Sequence, residues 1–143
     1  MEPEDTIDYN IRKTWYNIAK IYNKTASEYM SSMSMGMVLL NIDVVEGTQS
    51  TQLGPIMGME STSLSRTLNR LEELGVIERV RDDMDKRKTI IKLTELGKKR
   101  RVVAKNAVLE FNNTIFEDLS QKDIDNFFSS IRKINQIINK KLI

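Results

Sequence analysis

The stretch Leu64–Gly97, "LSRTLNRLEELGVIERVRDDMDKRKTIIKLTELG", decides the fold. At 100° per residue, Leu64, Leu68 and Leu71 fall on one side of a helix. Thr62, Arg66, Asn69, Arg70 and Glu73 fall on the other. This spacing predicts a helix from about Thr62 to Leu74, capped by Glu60 or Ser61 and ended by Gly75 at the C′ position. "VIERV" and "TIIKL" then read as two strands, with Arg81–Lys88 between them as a hairpin tip. Seven of those eight residues are charged, and none is Gly or Pro. Such a composition suits a solvated tip that resists edge-to-edge pairing. It equally suits a tip that touches a polyanion.

Upstream of the helix lies "STQLGPIM", a short and irregular helical element. Thr48 to Ser50 are expected to cap it, with Leu53, Ile56 and Met57 pointing inward. Pro55 is placed within about the first turn, where its missing N–H costs little. "GME" is the turn between the two helices. Further upstream, a helix from Glu4 or Asp5 to about Tyr29 carries Ile7, Ile11, Ile18, Ile21 and Tyr22 at helical spacing, with Trp15 near the stripe. A second runs from about Ser34 to Val45, carries Met37, Leu40 and Val44, and is stopped by Gly47. Downstream, Thr94 caps a helix to about Leu119 with Val103, Ala107, Phe111 and Ile115 inward. Ser120 with Asp123 resembles a capping box for a last helix bearing Ile124, Phe127, Phe128, Ile131, Ile134, Ile138 and Leu142. The order is four helices, a hairpin and two helices, without internal repeats or low-complexity linkers.

At 143 residues the chain is expected to be one compact domain. An apolar fraction of 40% and a charged fraction of 29% are those of a soluble globular protein. The acidic, polar N-terminus is no signal peptide, and no apolar run approaches membrane-helix length, so a cytoplasmic location without membrane association is expected. There is no cysteine and no histidine. That removes disulfides, thiolate metal sites, the best nucleophile and the commonest general base. Neither an enzyme, a metal site nor a cofactor is expected.

The net charge of +2 is unevenly spread. Residues 1–47 carry −3, residues 48–103 carry +4 and residues 104–143 carry +1. The basic excess therefore coincides with the helix and hairpin of the opening stretch.

The exposed helix face has the residue types that read DNA. Arg can donate twice to guanine, and Asn can pair twice with adenine. Ser61, Thr62 and Ser63 sit at a helix N-terminus, where N–H groups and hydroxyls favour phosphate; Ser65 extends this edge. Arg66 and Arg70, four apart, repel each other by roughly 0.2–0.5 kcal/mol on an isolated helix. The blander reading is an ordinary surface face, with Glu73 pairing Arg70. Context favours the first: a short helix, a tight turn and a second helix make a helix-turn-helix, and the hairpin after it makes a winged helix. In the wing, Asp85 is expected to cap the loop backbone and hold the Arg87 guanidinium. Arg87 would then reach a minor groove, with Lys86 and Lys88 near phosphates and Asp82 and Asp83 shaping the turn.

These residues carry a resemblance. "LSRTLNRLEELGVIERV", the wing "DDMDKRK" and "IIKLTELG" closely resemble the winged helix of MarR-family transcriptional regulators. The Asp-x-Arg of the wing and the Leu-Thr-x-x-Gly after it, at this distance from the Arg-Leu-Glu helix, are the most specific parts. About 50 residues are covered; the flanking helices match by length and order. The resemblance implies a mainly α fold with a small β-hairpin. Residues 33–99 would form the winged helix-turn-helix, between an N-terminal dimerisation helix (1–32) and C-terminal dimerisation helices (100–143). It further implies a homodimer bound to double-stranded DNA, Arg66 and Arg70 as recognition-helix arginines, Arg87 as the wing-tip arginine and Asp85 as its orienting carboxylate. Gly54–Pro55 departs from the family pattern, which often has a plain helical residue there.

Many family members respond to small amphipathic, often aromatic ligands bound between the dimer helices and the winged helix. Trp15, Tyr22, Met33 and Met37 are the candidates for such a small-molecule effector pocket. An aromatic or Met stripe at helical spacing is more often core or dimer interface. A repressor is the expected kind of regulator. The alternative is a winged-helix module that binds an acidic protein without specific DNA binding.

Overall fold

Leu64, Leu68 and Leu71 are 6%, 4% and 1% exposed, so the stripe that opens the sequence reading is the centre of the packed core. The structure, a computed structural model, describes residues 1–143. A 3₁₀ turn at Pro3–Asp5 precedes α1 (Ile7–Ser27) and α2 (Met33–Asn41). There follow β1 (Thr48–Gln49), α3 (Ser50–Met57), α4 (Ser61–Glu73), β2 (Ile77–Arg81), β3 (Thr89–Leu93), α5 (Glu95–Asp118) and α6 (Gln121–Ile137). A π turn at Ile138–Leu142 closes the chain. This is the mainly helical winged-helix architecture expected from the sequence. No helix is long and apolar enough to cross a membrane.

The chain divides into two compact units, Met1–Ala107 and Val108–Ile143. The core lies wholly in the first. Met35, Val38, Leu39 and Ile42, from α2 and the residue after it, meet Leu53 of α3 and the α4 leucines. Val76, Ile77, Ile91 and Leu93 complete the cluster from the sheet side. Burying a Leu or Ile side chain is worth about 1.5–3 kcal/mol, so these twelve residues dominate the stability of this unit.

The sheet is antiparallel with the order β1-β3-β2. Ile77 pairs with Leu93, Arg79 with Ile91 and Arg81 with Thr89; Thr48 also lies opposite Ile91, on the other side of β3. β3 is therefore central, and its Ile91 is fully buried. β2 buries only Ile77 and exposes the rest, because its outer half runs out from the core into the wing.

Several boundaries differ from the sequence reading. Thr6, not Glu4 or Asp5, is the N-cap of α1. α2 stops at Asn41 rather than Val45, because the Asp43 Oδ1 accepts the N–H groups of Val45 and Glu46 at 2.9 and 2.7 Å. Such a local side-chain turn competes with helix, and it leaves Val44 exposed in the loop before Gly47. Thr48 and Gln49 form a strand; Gln49, inside the expected Thr48–Ser50 stretch, is also the N-cap position of α3 but makes no side-chain capping bond. Pro55 is the sixth residue of α3, beyond its first turn. Its missing N–H leaves the Thr51 carbonyl without the usual helical bond, and the helix ends soon after it, at Gly58 in the left-handed conformation at φ +61°. Ile56 is exposed, not inward, whereas Met57 packs against the core.

In the second unit, the Ser120–Asp123 capping box forms as read: Ser120 Oγ accepts from Asp123 N at 3.1 Å, and Asp123 Oδ2 accepts from Ser120 N at 3.3 Å. Ile124, Ile131, Ile134 and Ile138 are half-buried, but Phe127, Phe128 and Leu142 are exposed, as is Ile115 on α5. α1 likewise has no fully buried residue and exposes Ile7, Ile11, Trp15 and Ile21.

Candidate nucleic-acid interface

α4 is positioned from behind by its leucines and from below by the turn at Gly58. The Gly58 and Met59 N–H groups donate to Pro55 and Gly54 carbonyls, at 3.4 and 3.0 Å, and close the helix-turn-helix corner. Gly54 is buried there, and a Cβ on it would stand 3.2 Å from the Met59 carbonyl oxygen. Glycine thus lets the end of α3 and the turn after it approach closely. Glu60 occupies the N-cap without a side-chain capping bond. The N–H groups at Ser61, Thr62 and Ser63 therefore remain open at the positive end of the helix dipole.

The outward face of α4 is as predicted: Thr62, Arg66, Asn69, Arg70 and Glu73 are all exposed. Arg66 makes no hydrogen bond or ion pair within the chain. Arg70 Nη1 stands 3.3 Å from Glu73 Oε2, with both side chains more than half exposed. An exposed pair of this kind contributes little and is readily exchanged for another anion.

The wing is a preformed loop. Asp82 N donates to the Lys88 carbonyl at 3.1 Å, and Lys88 N to the Asp85 carbonyl at 3.0 Å. Met84 N donates to Asp82 Oδ1 at 3.0 Å. Asp85 Oδ1 accepts both the Arg87 N–H, at 3.0 Å, and the Arg87 Nε–H, at 3.3 Å. Those two bonds, backbone first, hold the Asp85 carboxyl below its ordinary pKa. The Arg87 side chain is nevertheless 92% exposed, so it is oriented by Asp85 without being covered. Lys86 and Lys88 flank it in solvent. Of the two expected turn-formers, Asp82 takes the role, whereas the Asp83 carboxylate makes none of these bonds.

One residue escaped the sequence reading. Arg79 of β2 donates from Nη2 to Asn69 Oδ1 at 2.9 Å and from Nη1 to Glu72 Oε1 at 3.1 Å. Its fork ties the wing strand to the third turn of α4, and Asn69 is not the free side chain its position suggested. The sequence signal was weak: Asn69 and Glu72 share a face at i, i+3, but nothing local joins them to Arg79.

The basic run Lys98–Arg101 is mostly committed within its own unit. Lys98 pairs with Glu95 at 3.1 Å, the Arg100 guanidinium lies 4.7 Å from the Tyr29 ring centroid, and Arg101 Nη2 reaches the Leu40 carbonyl at 3.5 Å.

Of the candidate effector residues, Trp15 is 47% exposed, and Tyr22, Met33 and Met37 are half-buried. Burial raises the Tyr22 phenol pKa. α1 packs on α2, where Asn23 Oδ1 accepts the Met33 N–H at 2.8 Å. A separate open groove of about 560 Å³ runs between α3 and α4, bordered by Pro55, Met59, Ser61, Leu64 and Ser65. None of the four candidates borders it.

Comparison with known proteins agrees with this geometry. Residues 36–88 match the sequence profile of the MarR family. The transcriptional regulator SarZ of Staphylococcus haemolyticus is 27% identical over 119 residues, which are 82% of this chain and 78% of SarZ. SarZ of Staphylococcus aureus is 26% identical over 80% of this chain and 76% of its own. Among solved structures, the S. aureus MepR–DNA complex has a TM-score of 0.85 at 19% identity, over 92% of this chain and 97% of that one. The PcaV regulator of Streptomyces coelicolor with its natural ligand has a TM-score of 0.81 at 19% identity, over 95% and 96%. The profile falls on the helix-turn-helix and wing just described, and relatives run along most of the chain, so this chain resembles the MarR-family winged-helix transcriptional regulators in sequence over residues 36–88 and in fold over most of its length.

Proposed function

We propose that the chain is a cytoplasmic, dimeric, sequence-specific DNA-binding repressor. α4 enters the major groove of double-stranded DNA and the wing enters the adjacent minor groove. The observation that carries this reading is the Asp85–Arg87 arrangement, an exposed guanidinium fixed at the tip of a hydrogen-bonded loop. Narrow minor grooves attract arginine, and one held in place loses less freedom on binding. Ser61, Thr62 and Ser63 supply phosphate contacts with the α4 N-terminus. Ser65, Arg66, Asn69 and Arg70 face base edges, and Lys86 and Lys88 lie beside the backbone.

The dimer is supported by what one copy leaves uncovered. Ile7, Ile11, Trp15 and Ile21 on α1 and Phe127 and Phe128 on α6 are exposed apolar side chains on helices that contain no buried residue. A second copy that covers these faces gives two winged helices related by a two-fold axis. The DNA site is then pseudo-palindromic, with half-site centres about one helical turn (~34–36 Å) apart. Trp15, Tyr22, Met33 and Met37 are proposed to bind a small amphipathic or aromatic ligand that releases DNA; the ligand-bound structure of PcaV, a similar fold, supports this.

Selection of bound duplexes from a random pool, repeated across a salt series, tests the reading. A two-fold symmetric consensus is expected. Equal competition by random and selected duplex at physiological salt refutes it.

A further inference from the structure

Arg79 is placed to decide which base Asn69 reads. Its guanidinium has only donors. A neighbouring amide can therefore bond to it only through oxygen, since the flipped amide would set donor against donor. The 2.9 Å bond from Arg79 Nη2 to Asn69 Oδ1 thus fixes the orientation of the Asn69 side chain. The second bond, to Glu72 Oε1 at 3.1 Å, holds the guanidinium plane, and the 32% exposure of the Arg79 side chain keeps the fork partly out of water. Asn69 itself is exposed on the outward face of α4, and its Nδ2 has no partner in the chain.

An unrestrained asparagine suits adenine, because its oxygen accepts from N6 while its nitrogen donates to N7. The oxygen can accept a second bond, but the Arg79 bond turns it toward β2, so the side presented to the groove is the N–H pair. We propose that Arg79 is a specificity-determining positioning residue: it makes Asn69 a donor, so that the base pair facing Asn69 is selected for acceptors with no opposing donor, guanine N7/O6 or thymine O4, over adenine, whose N6–H₂ beside N7 opposes the second N–H. This inference rests on α4 entering the major groove, as proposed above. Arg79 would act through Asn69 and would not itself touch a phosphate.

The test is selection from a random duplex pool, with salt titration of the selected sequences, for the full-length protein and for Arg79→Met, Arg79→Lys, Asn69→Ala and the Asn69→Ala/Arg79→Met pair. Arg79→Lys keeps charge and stem but cannot span both acceptors, so it serves if Arg79→Met fails to fold. Wild type is expected to disfavour adenine at the position that Asn69→Ala relaxes. Either Arg79 variant should move that one position toward adenine by about tenfold, with the rest of the consensus and the salt slope unchanged. In the Asn69→Ala background, Arg79→Met should change nothing further. Three results overturn the inference: adenine preferred at that position by wild type, a uniform loss of affinity in the Arg79 variants, or a salt slope lower by about one, which would make Arg79 a phosphate contact. If wild type selects no common sequence, the DNA-binding reading falls and this inference with it. If wild type selects one and the Arg79 variants select the same, only this inference falls.

Discussion

One carboxylate oxygen, Asp85 Oδ1, receives both the main-chain N–H and the Nε–H of Arg87, at 3.0 and 3.3 Å. A single side chain therefore sets the loop conformation and aims the guanidinium. This makes the wing sensitive to the protonation of one group. The Asp85 pKa is depressed in the folded chain. Its contribution is therefore complete above the ordinary Asp pKa, about 3.9, and is lost as pH falls through the lowered folded value. A pH titration followed by NMR should show the Asp85 carboxyl, and the Arg87 amide beside it, changing below pH ~3.9. A midpoint at or above the ordinary value would contradict the hydrogen bonds.

Orientation and contact can be separated at the wing. Arg87→Ala removes a cation from the groove, so binding should weaken strongly and the dependence of log K on log salt should flatten by about one unit. Asp85→Ala leaves Arg87 charged but unaimed. Affinity should fall while the salt slope stays near that of wild type. Identical slopes for the two variants would argue against the division of roles.

Arg66 has no partner in the chain and lies on the outward face of α4. Arg66→Ala should cost about 1–3 kcal/mol at the preferred site and relax one half-site position. Competition between the selected duplex and its single-base variants reads this directly. An equal loss on every sequence would instead make Arg66 a backbone contact.

Phe127 is 58% exposed on a helix without buried residues. If a second copy covers it, Phe127→Asp places a charge in that interface. Light scattering should then report a particle near 16.5 kDa instead of twice that mass. An unchanged dimer mass for the folded variant would place the interface elsewhere.

Gly97 lies so near the start of β2 that a Cβ would overlap the Val76 carbonyl oxygen. Backbone must shift to admit it, so Gly97→Ala should destabilise the fold by about 1–3 kcal/mol, as overpacking does. Urea denaturation measures the loss. Gly36, whose added Cβ would meet only Ala104 at 3.6 Å, provides a tolerant comparison as Gly36→Ala.

What could be read from the sequence was whatever depends on short-range periodicity. The Leu64/Leu68/Leu71 stripe, the two wing strands within a residue, the Ser120 capping box and the Asp85–Arg87 pair each depend on residues no more than a few positions apart. The misreadings involve partners that a linear pattern cannot supply. Thr48 and Gln49 are strand only because β3, some 40 residues on, offers an edge. Asp43 cuts α2 short by choosing two nearby N–H groups over a continued helix. Arg79 reaches Asn69 and Glu72 only once β2 lies beside α4. A face assignment could thus list the outward residues of α4, but not which of them was already engaged.

The junction between β3 and α5 has a mechanical consequence. Thr94 donates its hydroxyl to the Gly75 carbonyl at 2.6 Å and its N–H to the Val76 carbonyl at 3.1 Å, while its Oγ1 accepts the Gly97 N–H at 3.0 Å. With Gly97 pressed on Val76, the first turn of α5 has no slack against the root of β2. A five-residue strand is about 17 Å long, so a tilt of about 5° imposed at that root swings its far end by roughly 1.5 Å. A small tilt of the first turn of α5 therefore arrives at the end of β2, where the wing begins, as a displacement comparable to half a hydrogen-bond length.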